Sequence, residues 1–412
     1  MRKALIYKLL IRRPETMHQT DFNYQKKDLP AGFSKFGLIF LVVGLILAVA
    51  SFFVDQTRAA FNYLVVYMMI VSIALGSLFL IALEYVAGAD WSTPFRRIPE
   101  FFAGLLPVLF ILVIPLLFFN HDLFHWAHEE AVKEDKILQG KAPYLNISFF
   151  VIRTLLFIAI WVLFYFILQR NSKKQDTTKD QTLTTKNIRF SAAFIPLFAI
   201  TITFTAVDWL MSLEPHWFST IFGVYYFSGT VIAALAAVTL VVVVLKEKGY
   251  FNPWITDDHL YSFGALLFAF VNFWAYIAFS QFMLIWYADL PEETFWYLTR
   301  WEGSWVIFSL LLIFIHFLVP YAMLLSQPAK MDPKRLKFIS VWLLFAHLFD
   351  LFWLVMPNMQ PLKKGYVFSW IDLVFPILGI GIVLTVFNFI SKKENLIPVG
   401  DPKLKKGINF HL

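Results

Sequence analysis

The run FNYLVVYMMIVSIALGSLFLIALEYV, residues 61–86, carries one charge, Glu84, a turn from its end, and exceeds the ~20 apolar residues that cross a hydrocarbon core. By that measure it is a transmembrane helix. Nine stretches of the same character flank it: 34–53, 101–119, 146–168, 190–212, 220–245, 261–287, 304–326, 335–356 and 369–390. The connections between them reach roughly twenty to thirty-five residues at most, too few for a soluble domain. Composition agrees, at 59% hydrophobic and 15% charged, where soluble domains run at about half and a quarter. The expected fold is an all-α integral membrane protein with ten transmembrane helices over residues 34–390, between tails 1–33 and 391–412.

The chain has no cysteine, which excludes disulfides, iron-sulfur ligation and thiolate metal sites. A redox centre would have to hang on histidine or be a diffusible molecule. The basic, polar start of the chain lacks a short apolar core with a cleavage site, so no cleaved signal peptide is expected and the first span is the anchor. An even number of spans puts both termini on one side, and roughly 27 of the 35 Lys and Arg fall there. Both termini are therefore expected in the cytoplasm. Arg2, Lys3, Arg12, Arg13, Lys173, Lys174, Lys392, Lys393, Lys405 and Lys406 read as topology signals beside anionic lipid, and the net charge of +7 requires no nucleic acid.

Two connections suggest organisation of their own. Residues 169–189, rich in Lys, Thr, Asp and Gln, read as a flexible cytoplasmic linker dividing the spans four and six. Residues 120–145 read as an interfacial helix anchored by Trp126. His121, His125 and His128 would then share one face of it at i, i+4 and i+7. Metal binding is the sharper reading of that spacing, but no second shell is visible and no metal is assigned.

Ionisable groups at membrane depth need a partner, a cavity or a role. At ~1.5 Å per residue, Arg153 lies roughly 10 Å and Asp208 roughly 6 Å below the external surface, within reach of each other. Gln281 and Asp350 lie at roughly 9 Å, with His316 and His347 deeper, so an external polar funnel is expected. On the cytoplasmic side the polar groups are sparser: Glu84, then Asn272 and Ser72. A helix-locking charge pair is the structural alternative for Arg153 and Asp208, and snorkelling to the headgroups is the alternative for Asp350 and Asp372. One transmembrane His pair, His316 and His347, flanked by bulky side chains, reads as hydrogen-bonded or proton-carrying before it reads as haem-ligating.

Four segments carry a resemblance: DWLMSLEPHWFSTIFGVYYF (208–227), FWAYIAFSQFMLIWYADLPEE (273–293), WYLTRWEGSW (296–305) and FDLFWLVMP (349–357). Together they resemble the membrane subunits of bacterial alternative complex III, a quinol:cytochrome c oxidoreductase, within the NrfD-like or polysulfide-reductase membrane-subunit family. The resemblance implies two four-helix bundles, spans 2–5 and 6–9, with the first and last spans peripheral. It implies a subunit in the bacterial inner membrane without a redox cofactor of its own, handling a quinone or quinol (menaquinone or ubiquinone) or a proton path. The implied partners are a sister NrfD-like subunit, an iron-sulfur protein, and multihaem and monohaem cytochromes c. In that family quinol oxidation is expected at the external face of the first bundle, where Arg153 and Asp208 lie. Polar residues of the second bundle would then suit proton conduction or helix packing. The competing reading from the residues alone is an independent proton- or anion-coupled secondary transporter, although Pro107, Pro115 and Pro196 form no matching inverted pair.

Overall fold

The computed structural model describes residues 29–251 and 254–412. The described residues form helices and connections with no strand, and ten helices are long and apolar enough to span a membrane. They are α1 Ala31–Val54, α2 Gln56–Ala87, α3 Arg97–Phe118, α4 Ile147–Thr178, α5 Thr182–Leu213, α6 Phe222–Glu247, α7 Asp257–Ala288, α8 Trp305–Leu324, α9 Pro333–Asn358 and α10 Ile371–Ser391. The basic residues of the expected N-terminal tail, Arg2, Lys3, Arg12 and Arg13, lie outside the described residues.

Burial ranks the helices. The apolar windows of α2 and α6 are each 89% buried while that of α1 is 22% buried, so α2 and α6 form the axis and α1 the rim. Helix α2 packs on α3, α5 and α6, and α6 packs on α5, α7 and α9. This gives two four-helix groups, α2–α5 and α6–α9, joined along α2 and α6. Helices α1 and α10 form a pair against α2, with backbones in direct contact. A Cβ on Gly44 would lie 2.6 Å from the Leu378 Cα, and one on Gly381 would lie 2.3 Å from the Leu41 nitrogen. Dispersion across such close contacts replaces the hydrophobic drive that lipid cannot supply.

Residues 169–189 are not a flexible linker. Helix α4 continues to Thr178, Lys179 turns the chain in the left-handed region (φ 53°), and α5 begins at Thr182. The polar side chains there satisfy one another: Asn171 donates to Asn187 (2.8 Å) and Gln175 to Thr184 (2.7 Å). Nor is 120–145 one interfacial helix. Phe124 and His128 are extended, so the segment breaks into Asn120–Leu123, His125–Ala127, Glu129–Glu134 and Lys136–Lys141, and the three histidines share no helix face. His128 instead approaches the His121 carbonyl at 2.9 Å. Trp126 is not an interface anchor either: it is buried, stacked on Phe124 and edge-on to Phe150.

The C-terminal segment packs back under the bundle. Leu396, Ile397 and Leu404 are buried, the Gly400 amide donates to Asp176 (3.2 Å), and His259 Nε2 meets the Gly407 carbonyl at 2.8 Å. This places the C-terminus and the connections after α2, α4, α6 and α8 on one face, the tail face. The connections after α3, α5, α7 and α9 form the opposite face.

Candidate functional site

Most buried charges are paired. On the opposite-face side of the first bundle, Arg153 grips Asp208 with two bonds, Nε to Oδ2 at 3.0 Å and Nη2 to Oδ1 at 2.9 Å. The Tyr144 hydroxyl donates to Asp208 (2.9 Å), its carbonyl accepts from Arg153 (2.9 Å), and its ring covers the guanidinium at 3.8 Å. Burial, and then the Asp208 carboxylate, push the Tyr144 phenol up, so it remains a donor. The two residues meet as expected, inside a cage that leaves neither charge unpaired.

Glu84, at the tail face, is likewise held. Arg96 bonds it at 2.6 Å and reaches Asp401 of the C-terminal segment at 2.6 Å, with the Tyr85 ring against the guanidinium. Arg97 links Glu100 and Asp176, each at 2.5 Å. Asp372 does not snorkel. It is buried and takes two bonds from Arg58 (2.8 and 2.5 Å), one from Asn62 (2.9 Å) and one from the Tyr366 hydroxyl (2.7 Å). Arg58 begins α2 ahead of the apolar run, which hid this pair from a hydropathy reading.

The second bundle is built differently. Asp350 on α9 is 1% exposed and does not snorkel either; it accepts from the Tyr225 hydroxyl at 2.5 Å and from Trp274 Nε1 at 3.2 Å. Among the described residues it is the one buried carboxylate without a cation partner. His316 and His347 each offer a ring nitrogen, and Asp350 a carboxylate oxygen, within 4.8 Å of one another.

The local backbone explains why His316 is there. Residues Phe314–Leu318 form a π-turn in which the Val319 N–H bonds the Phe314 carbonyl. The next rung in that register falls on Pro320, which has no N–H. Trp342 Nε1 supplies the missing donor to the Ile315 carbonyl at 2.8 Å. The widened turn carries His316 inward, stacked on Trp274 at 3.8 Å, with both ring nitrogens unpartnered among the described residues. His347 lies against α6 because residue 229 is glycine; a Cβ there would sit 2.6 Å from the imidazole. Its Nε2 meets Ser72 Oγ at 3.0 Å, and Ser72 in turn contacts Tyr226 (3.0 Å) and Thr230 (3.4 Å). A polar thread thus runs from α9 to α2 and α6 across the bundle boundary.

Beside this cluster lies a cavity of about 500 Å³ between α7 and α8. Trp274, Phe282, Trp301, Phe317 and Trp353 line it, and exposed Tyr276, Phe279 and Ile313 border it on the outer surface. Its polar groups converge at one end. Gln281 donates to the Tyr297 hydroxyl (3.1 Å) and accepts from Ser219 (2.9 Å). Tyr297 therefore keeps its own proton to donate, and burial pushes its pKa up to about 12. Tyr225, hydrogen-bonded to Asp350, also lines the wall. Nearby Arg300 is buried without a carboxylate partner among the described residues: it donates to the Trp296 and Leu354 carbonyls and stacks on Trp296 at 3.4 Å. Burial pushes its guanidinium down to about 9.

No protein-family model and no curated protein matches this chain. Four segments of the chain, 208–227, 273–293, 296–305 and 349–357, meet in space around this cavity. Ser219 and Tyr225 come from the first, Trp274 and Gln281 from the second, Tyr297 and Trp301 from the third, and Asp350 and Trp353 from the fourth. Of the expected site residues, Gln281, His316, His347 and Asp350 come together here, while Arg153 with Asp208, and Glu84, lie elsewhere. Sequence reading missed Tyr225, Trp274, Tyr297 and Gly229, and placed Ser72 only in the sparse cytoplasmic-side set, away from His347. The signal for the first three was membership in the aromatic motifs; for Gly229 nothing local marks it.

Proposed function

We propose that this chain is a membrane subunit of a quinol-oxidising respiratory complex, passing electrons to cytochrome c or directly to an oxidase. In this reading the second bundle holds the quinol ring and conducts its protons. The observation that supports it is the adjacency of a lipid-side aromatic cavity to an acid and two histidines free of ion pairs. A cavity of this size, mostly apolar with a few convergent polar groups, suits a small amphipathic ligand. Tyr297 and the second Gln281 N–H would bind a ring oxygen, and the aromatic walls would hold the ring and the start of its isoprenoid tail. A bound quinol supplies two electrons and two protons on oxidation. The electrons leave to a cofactor of a partner, and the chain's own residues act on the protons. Tyr225 bridges the cavity to Asp350, and the carboxyl group and two imidazoles relay onward to Ser72 without any ion pair to break. The partners in this reading are an iron-sulfur protein, multihaem and monohaem cytochromes c and a sister membrane subunit, with both termini of this chain in the cytoplasm of a bacterial cell.

The test is steady-state quinol oxidation by the native complex carrying Gln281→Leu with Tyr297→Phe. Each lost hydrogen bond is worth ~1 kcal/mol, so KM should rise about fivefold per residue with kcat little changed. Asp350→Asn should instead lower kcat and proton release while leaving KM near wild type. Wild-type kinetics in both variants would refute the assignment.

A further inference from the structure

A second cleft, on the tail face, has no part in that reading. It is a cleft of about 590 Å³ between the ends of α4 and α5, lined by Ile167, Arg170, Asn171 and Lys174 on one helix and Leu183, Lys186, Arg189 and Phe190 on the other. Arg170 and Lys174 are i, i+4 neighbours, and Lys186 and Arg189 are i, i+3 neighbours. Like charges at those spacings repel. Both pairs face the same space, and none of the four makes an ion pair within the described residues. Asp180 at the hairpin tip lies within electrostatic reach of Lys186 and Lys174 but forms no ion pair with either, its oxygens being engaged by the Thr182 amide (2.9 Å) and hydroxyl (2.8 Å). The walls do not yield to the repulsion, because Asn171–Asn187 and Gln175–Thr184 bonds clamp the hairpin.

Position identifies the missing anion. Following the same helix faces toward the membrane centre, the cations give way to exposed Leu163 and Phe166 on α4 and Phe190 and Leu197 on α5. An anionic head over an apolar groove is the shape of a phospholipid. We infer that the cleft binds the phosphate headgroup of an anionic phospholipid whose acyl chains run along α4 and α5. Each basic side chain at a membrane surface contributes about fivefold to such an affinity.

The experiment uses the full chain, purified and delipidated in a neutral detergent, titrated with short-chain phosphatidylglycerol, phosphatidylcholine or inorganic phosphate and read by native mass spectrometry. Phosphatidylglycerol should be retained in preference to phosphatidylcholine, and inorganic phosphate should not displace it. Arg170→Gln with Arg189→Gln should weaken phosphatidylglycerol by about 25-fold, while Lys405→Gln with Lys406→Gln, removing the same charge elsewhere on that face, should not. The lipid-free cleft variant should melt at or above the wild-type temperature, since repulsion has been relieved. Equal retention by wild type and cleft variant, equal retention of the two lipids, displacement by phosphate alone, or a lipid-free cleft variant that melts below wild type would each overturn the inference.

Discussion

Neutralising Arg153 and Asp208 singly and together tests whether their pair is a lock. The pair is bidentate, at 2.9 and 3.0 Å, with Asp208 1% and Arg153 6% exposed. Removing one partner of such a pair strands the other, at ~3–5 kcal/mol. The two singles should differ. After Asp208→Asn the guanidinium cannot shed its charge and keeps neutral partners alone, the new amide oxygen, the Tyr144 carbonyl and the Tyr144 and Phe149 rings, so the loss should sit near ~5 kcal/mol. After Arg153→Gln the carboxylate can escape by taking a proton, so the loss should be nearer ~3 kcal/mol and shrink as pH is lowered. The double variant strands nothing and should recover at least ~2 kcal/mol of the summed losses. Equilibrium unfolding in mixed micelles of a neutral detergent and dodecyl sulfate measures all three. Single losses that add to the double within ~0.5 kcal/mol would refute the lock.

Two further outcomes follow from the layout. Single cysteines at Lys174 and Gln139 should label from opposite sides of the membrane, the second from outside; labelling of both by an impermeant reagent on intact cells would contradict the two-faced arrangement. Asp135, on the opposite face, accepts from His216 at 2.5 Å and from the Ile137 and Leu138 amides, and these bonds, His216 first, hold its carboxyl below the usual range. A lowered carboxyl gives support that is complete above its ordinary value of ~3.9 and is lost as pH falls through its folded value. A spin label at Glu134→Cys should therefore stay immobile from neutral pH down to ~4 and loosen below it, and Asp135→Asn should loosen it at every pH; loosening in wild type near pH 6 would contradict this.

The spans were legible because lipid asks one question of a segment, whether about twenty residues can do without water, and hydropathy answers it. All ten runs sit within the observed helices or overrun them by a residue or two. What hydropathy does not encode is who satisfies a polar side chain. Residues 169–189 look like linker because their polarity is high, yet Asn171, Gln175 and Asp176 spend it on Asn187, Thr184 and Arg97. Asp372 looked like a snorkelling acid because Arg58 stands 314 residues away. The histidines at 121, 125 and 128 kept helical spacing in a segment whose backbone is interrupted at Phe124 and His128.

The same partner question separates the two bundles. Charge buried in a membrane protein persists when it is paired, and the pairs Arg58–Asp372, Arg96–Glu84 and Arg153–Asp208 each tie one segment to another. They are staples, and moving a proton through any of them would mean breaking it. Among the described residues the exceptions are Asp350, an acid without a cation, and Arg300 and Lys330, cations without an acid; Lys330 holds the Leu325 carbonyl and the Phe268 ring, while Asp350 and Arg300 both lie near Tyr225 on the wall of the α7–α8 cavity. Uniting them as one more ion pair would have been the cheaper arrangement for stability. Keeping Asp350 and Arg300 apart leaves Asp350 bonded, among the described residues, only to neutral donors, beside two imidazoles with free nitrogens, and it is on this arrangement that the proposed proton relay rests.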